Sequence, residues 1–365
     1  MESVYLSAPS PTREPGYTLH QKAGGERMRL GFAVKVIGAE GNHAHITEAG
    51  EMKSADARRW QSGPHVRQSI EYLRKVFGYL HKTDIHMYRM SSDVAPYLTH
   101  PDMPQFHNQL YEAKDELASL GALAREYDIR LSLHPSQYIL LNAQDEEVAR
   151  KSITDLNAQA RILDAMGCGP DAVVVTHVGG VYSEREASIA RFISRYKELP
   201  AETRARLVVE NDDVSYPVTD VLHIHQETGC PVVFDNLHHY CLNPSGLSMR
   251  AALHAALQTW PSHMTPKIHY SSPSTSFDPI TEKQKGEKGR VKTITKLRSP
   301  KNKAHADFID PLEFVLFWEA VDADNDRPFD IMLEAKAKDV ALLRLRRELE
   351  RQRERLIPGR QNAKD

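Results

Sequence analysis

Six short apolar runs of this chain each deliver a histidine or a carboxylate at or just beyond their carboxyl end. RLSL is followed by His134, VVVT by His177, LVV by Glu210, VVF by Asp235 and His238, KI by His269, and IML by Glu334. Any one of these alone is more often a hydrogen-bonded rim residue than a ligand. Six together would leave several buried carboxylates uncompensated, and divalent cations are the usual compensation. Imidazoles mixed with carboxylates, without thiolates, suit Mn²⁺, Zn²⁺ or Fe²⁺ better than Ca²⁺ or Mg²⁺ alone. The donors outnumber the needs of one ion, so two or three divalent metal ions are expected, with Glu210 bridging. Closely spaced divalent ions cleave phosphate esters: they lower the pKa of a water and hold the phosphate oxygens and leaving alkoxide. Glu210, Lys267, His269 and Glu334 are therefore the expected catalytic group.

Two further residues join them by position. His305, in AHADF, follows the seventh run on the same side. Lys267 lies two residues before His269 and so shares its strand face. Repulsion from neighbouring cations is expected to depress its pKa. It either contacts a substrate phosphate or is carbamylated and serves as an anionic ligand.

The elements that must position these side chains alternate along the chain. Strand-like runs fall at 29–33, 85–89, 129–133, 172–176, 206–210, 231–235, 266–270 and 330–334. Several are almost wholly apolar, as strands buried on both faces are. Amphipathic helical patterns separate them, including Pro64–Leu80, Asn108–Tyr127 and Glu146–Met166. Ser183 with Glu186 matches a capping box at the start of another. The first run instead leaves through a long polar connection, Ile37 to Gly63. Eight such units predict an α/β fold, a TIM (β/α)8 barrel, whose active sites gather at the carboxyl ends of the strands. An open doubly wound sheet is the competitor, but no G-x-G-x-x-G follows the first run. Residues 1–27, rich in Pro, Gly and Ser, and residues 358–365 are expected to be disordered tails around a barrel domain at 28–357.

Composition narrows the class. The chain has 365 residues, 41% of them hydrophobic, enough for a self-sufficient core. Three cysteines without CxxC spacing speak against a disulfide framework and for a reducing cytoplasm. No run approaches the roughly 20 apolar residues of a membrane span, and the first residues lack a secretory signal's pattern. Net charge is −2, yet residues 281–304 carry nine Lys or Arg against Glu282 and Glu287. This basic loop, 274–304, is either a solvated segment or a surface that tracks phosphates.

The blocks LSLHPSQY (131–138), VVTHVGGVY (174–182), VVENDD (208–213), VFDNLHHYCLNP (233–244), KIHYSSP (267–273), HADFID (305–310) and IMLEAK (331–336), with RMSSDVAPYLTHP (89–101), resemble the ultraviolet damage endonucleases. The resemblance implies a barrel of the endonuclease IV / xylose isomerase-like kind. It implies a nick immediately 5′ to a damaged site in double-stranded DNA, leaving a 3′-hydroxyl. It also implies a manganese-type cluster at His134, His177, Glu210, Asp235, His238, His269, His305 and Glu334. Gln137 and Tyr138 would probe the duplex, because a damaged step costs less to unstack. Phe32 and His239 complete the expected lesion-contacting set. Two residues depart from the family pattern: Phe32 stands where a Tyr is usual and Val36 where an Asn is, removing a phenolic hydroxyl and an amide that bear on lesion range. The basic loop is also longer than usual. A monomer is expected. The rival functions are an abasic-site endonuclease, a metal-dependent sugar isomerase or epimerase on the same fold, and a catalytically silent DNA-binding relative.

Overall fold

The run LGFA forms strand β1 (Leu30–Ala33), buried at every position because both of its faces are covered. The same holds for β3 (Arg130–Leu133), β5 (Leu207–Glu210), β7 (Lys267–Tyr270) and β10 (Asp330–Leu333). With β2 (Met87–Arg89), β4 (Val173–His177) and β6 (Val232–Val233) they make one parallel sheet in the order β6-β5-β4-β3-β2-β1-β10-β7. A parallel bridge between Asp235 and His269, with His269 N donating to Phe234 O at 2.9 Å, joins its two edges. The expected eight-stranded barrel is what the computed structural model contains. It describes residues 28–38, 65–182, 184–285, 291–301, 303–322 and 327–356. The expected tails at 1–27 and 358–365 lie outside the described residues, as do Ser183 and most of the connection from Ile37 to Gly63.

Helices cover the barrel. Helix α1 (Val66–Lys82) buries Val66, Ile70, Leu73, Val76, Phe77 and Leu80 along one stripe. Around the ring follow α2 (Lys114–Glu126), α3 (Glu146–Ala165), α4 (Arg185–Glu198), α5 (Val218–Thr228), α6 (Asn236–Cys241), α7 (Met249–Gln258), α8 (Pro311–Asp322) and α9 (Lys338–Leu356). Asp145 caps α3 by accepting from the backbone N–H groups of Glu147 and Val148. The capping position of α4 is Glu184, whose side chain makes no capping hydrogen bond. None of the described helices is long and apolar enough to cross a membrane.

One glycine permits the ring to close up. A Cβ on Gly121 of α2 would stand 1.6 Å from the carbonyl oxygen of Met166 at the end of α3. Gly121→Ala is therefore expected to destabilise the fold by about 1–3 kcal/mol. Urea denaturation checks this, and an unchanged midpoint would mean that the helices can part without cost.

The lower end of the barrel is stitched by ions. Arg130 Nη1 lies 2.8 Å from Asp330 Oδ2, with both side chains almost fully buried, and Asp330 Oδ1 accepts from Arg29 N at 2.8 Å. This pair sits at the strands' amino ends, away from the predicted chemistry.

The basic segment is not a loop. It folds as an antiparallel ribbon of β8 (Asp278–Lys285) and β9 (Val291–Arg298), separate from the barrel sheet. The alternation K-T-I-T-K-L, with its β-branched residues, favours a strand. Its charge density obscured that pattern in the sequence.

Candidate metal centre

Strands β3 to β7 and β10 end at one mouth of the barrel, and their last residues turn inward together. His134 Nε2 lies 3.1 Å and His177 Nε2 3.6 Å from Glu210 Oε2. The other carboxylate oxygen, Oε1, is 2.8 Å from His269 Nδ1 and 3.6 Å from His238 Nδ1. His269 Nδ1 is also 3.4 Å from Glu334 Oε1. Three groups result whose donor atoms lie within 4.8 Å of one another: His134, His177 and Glu210; Glu210, Asp235 and His238; Asp235, His269 and Glu334. Glu210 belongs to two groups and Asp235 to two, so the three share their carboxylates.

The tautomers suit cation binding. Nδ1 of His134, His238 and His305 faces a backbone carbonyl, of Pro135 at 3.1 Å, Asn211 at 2.8 Å and Glu334 at 2.7 Å respectively. A carbonyl only accepts, so each Nδ1 carries the hydrogen and leaves the Nε2 lone pair for a cation. At His134 that lone pair confronts a carboxylate oxygen, and a proton or a cation has to lie between them. His177 Nδ1, His269 Nε2 and Asp235 Oδ2 are buried without a hydrogen-bond partner. Unpaired polar atoms of this kind are costly, and a bound cation relieves them. The donor set fits divalent ions.

The electrostatics point the same way. Burial alone would raise the Glu210 carboxyl, but the imidazoles of His269, His177 and His134 hold it well below the usual carboxylate range. Burial pushes Asp235 up to about 6 against the pull of His238. Burial would lower His238, yet Asp235 and Glu210 raise it to about 9. Among these groups, protons stand in for missing positive charge.

Neighbouring groups fix the candidate ligands. The buried Asn211 side chain accepts from Asp235 N at 2.9 Å and donates to Asp235 O at 3.2 Å, registering the ends of β5 and β6. Asn236 bridges in the same way to both backbone groups of Ser271 at the end of β7. Arg89, the last residue of β2, pairs with Glu334. It was not among the expected site residues, although its place at a strand's carboxyl end is the signal that marked the others. Beside it, Val34 adopts φ 66°, a region that β-branched residues avoid, held by Val34 N to Arg89 O at 2.8 Å and Tyr88 Oη donating to Val34 O at 2.6 Å.

The other expected residues divide. Gln137 and Tyr138 stand exposed on the loop after His134, Tyr138 at 75%. His305 sits at the rim, its ring centroid 6.4 Å from that of His238. Phe32 is wholly buried, edge-on to Tyr88, and Val36 is buried too. His239 is 2% exposed, its Nε2 3.0 Å from the carbonyl of Leu247 and its ring against Phe234. Phe32 and His239 therefore belong to the packed wall, and the expected lesion contact through them is corrected: neither has surface to offer a duplex. Lys267 lies beneath the ligands, fully buried, with Nζ donating to Ser132 Oγ at 2.9 Å. Burial, then Arg89 and Arg130, depress its pKa strongly, which favours the neutral amine. Contact between Lys267 and a substrate phosphate is excluded by that burial.

Comparison with known proteins gives this centre a family. The family described as UV-endonuclease UvdE matches residues 52–359. The UV DNA damage endonuclease of Bacillus cereus (strain G9842) is 34% identical over 286 residues, 78% of this chain and 81% of the relative. That of Bacillus mycoides (strain KBAB4) is 32% identical over 280 residues, 76% and 80% of the two chains. The crystal structure of SacUVDE superposes with a TM-score of 0.69 at 31% identity, covering 89% of this chain and 99% of that one. A 3-keto-D-glucoside 4-epimerase from E. coli has a TM-score of 0.50 at 10% identity, covering 90% and 100%, a likeness of fold alone. With a family match across most of its length, and relatives above 30% identity over most of both chains, this chain belongs to the UV DNA damage endonuclease family of DNA repair enzymes.

Proposed function

We propose that this protein is a metal-dependent endodeoxyribonuclease that nicks duplex DNA immediately 5′ to ultraviolet-induced or other distorting lesions. The observation that carries this reading is the sharing of Glu210 and Asp235 among three adjacent ligand groups, directly beside an exposed aromatic loop. Two or three divalent cations, manganese foremost, would be held by His134, His177, Glu210, Asp235, His238, His269, His305 and Glu334. When bound, they supply Lewis acidity, lowering the pKa of water and neutralising charge on the phosphate.

The chain's own residues do the rest. Glu210 holds its neighbours in place from a buried carboxylate that stays ionised. Asn211 and the carbonyl of Glu334 aim His238 and His305 by fixing their tautomers. Arg89 keeps Glu334 ionised and turned inward. Lys267 acts from below as a neutral amine that adds no positive charge to the centre. Gln137 and Tyr138 enter the duplex at the weakened step, and their loop connects directly to His134, so that probing and ligation share one backbone.

The test is relaxation of supercoiled plasmid by the purified protein with Mn²⁺, with and without prior irradiation. Nicking confined to the irradiated plasmid supports the reading; preference for an abasic plasmid, or no nicking, contradicts it. Tyr138→Ala is expected to lower the preference for irradiated DNA about tenfold or more, since a base–aromatic stack contributes about 1–3 kcal/mol. Metal content should not change. Equal preference in the variant and the parent would remove Tyr138 from lesion recognition.

A further inference from the structure

The ribbon β8–β9 is a feature the barrel does not need. A lone two-stranded hairpin is marginal in water, and here the described side chains on both faces are exposed except the half-buried Ile280 and Ile294. Such an element requires a partner to earn its order. Resting on the endonuclease reading above, we propose that β8–β9 is a duplex-binding arm, which lies against the phosphate backbone of the DNA flanking the lesion.

Charge identifies the partner. Residues 281–304 carry nine basic residues against two acidic, a net +7, in a chain whose total is −2. The register sets Thr281 opposite Thr295 and Lys283 opposite Thr293, so these four share one face. That face offers hydroxyl and ammonium donors and no carboxylate, the chemistry that contacts phosphate oxygens. On the other face Lys296 pairs with Glu282 at 2.7 Å. Leu297 is the one large apolar side chain strongly exposed on the described ribbon, at 71%, too little for an apolar protein interface.

Position supplies the second argument. At the root of the arm the two chain segments meet in one antiparallel bridge: Ser274 N donates to Ala304 O at 2.6 Å, Ala306 N donates to Ser272 O at 2.9 Å, and Pro273 faces His305. The bridge therefore places the root of the arm at His305, a candidate ligand of the centre. Lys303 pins that return by donating to the carbonyl of Asp213, in the loop after β5. Strands of eight residues extend roughly 26 Å, about the rise of seven or eight base pairs. A major groove of about 12 Å admits a ribbon of this width. The arm thus reaches flanking duplex while its root stays at the scissile phosphate.

The test compares the parent with a variant stripped of donors on that face, Thr281→Val, Lys283→Gln and Thr293→Val, by fluorescence anisotropy with irradiated and unirradiated duplexes across a salt series. The arm predicts that the slope of log affinity against log salt falls by about 1, and that affinity near 0.15 M salt drops about fivefold or more for both duplexes alike. Thermal midpoint and metal content should stay as in the parent, and Lys283→Arg alone should bind as the parent does. An unchanged slope and affinity would overturn the proposal. So would a variant that binds DNA normally but shifts the oligomeric state in sedimentation, since the ribbon would then serve contact between copies of this chain. The two readings fail separately: a parent that does not nick irradiated DNA removes the endonuclease reading, whereas anisotropy reports on the arm in either case.

Discussion

Glu210→Gln is expected to lower nicking of irradiated duplex by about 10⁴-fold, equivalent to about 5.5 kcal/mol of transition-state stabilisation. The amide has nearly the shape of the carboxylate, so packing survives and only charge and one acceptor are lost. Both oxygens of Glu210 are engaged, Oε2 with His134 and His177 and Oε1 with His269 and His238. No other carboxylate touches imidazoles from so many strands among the described residues. Its charge is what the surrounding imidazoles hold in the ionised form against burial. Without it two of the three ligand groups lose their shared member. Single-turnover cleavage of an end-labelled duplex, with metal content measured on the same sample, gives the answer. A loss of less than tenfold would mean that Glu210 is a structural hydrogen-bonding residue and bridges nothing.

The largest expected effect on stability lies at the opposite end of the barrel. Asp330→Ala should cost about 3–5 kcal/mol, because it strands the buried guanidinium of Arg130 and unpairs Arg29 N. Arg130 Nη2 already lacks a partner, and the remaining hydrogen bonds of the guanidinium go to the uncharged carbonyls of Asp171 and Pro266. Denaturant unfolding measures the cost. The folded fraction should still bind metal as the parent does, since Asp330 is three residues below Leu333 on β10 and the ligands lie above. A variant as stable as the parent would show that the pair is solvated rather than buried.

Much of the barrel was legible in the sequence because its strands are covered on both faces. LVVE, VVVTH and DIML need no neighbour to declare themselves, and the candidate ligands could be singled out because each follows such a run. The side chains that strengthen the centre were less visible for a specific reason. Arg89 closes the second strand, yet an arginine among proposed cations looks unsuitable until Glu334 is seen against it. Asn211 works through its amide to the backbone of Asp235, a contact between strands that no local pattern encodes. Phe32 was placed at the lesion by its position in the family pattern and His239 by its place beside a ligand, and neither says which way a side chain turns: Phe32 packs edge-on against Tyr88, and His239, one residue after His238 on α6, faces Phe234 instead of the mouth. Lys267 shares a strand face with His269 as expected, but two residues along a strand move it to the layer below.

The ribbon illustrates the opposite limit. Its alternating β-branched residues carry strand propensity, but lysines between them are equally typical of solvated loops. Pairing partners well along the chain decided the outcome, as Ile280 opposite Lys296 and Thr281 opposite Thr295 demonstrate.

The account turns on side chains from β3 to β7 and β10 meeting around shared cations. Equilibrium dialysis of the full-length protein against Mn²⁺, with ions counted by elemental mass spectrometry, tests this most directly. The prediction is two or three ions per chain, falling by at least one in Glu210→Gln. A parent protein that retains no manganese, or a variant that retains as much as the parent, would contradict it.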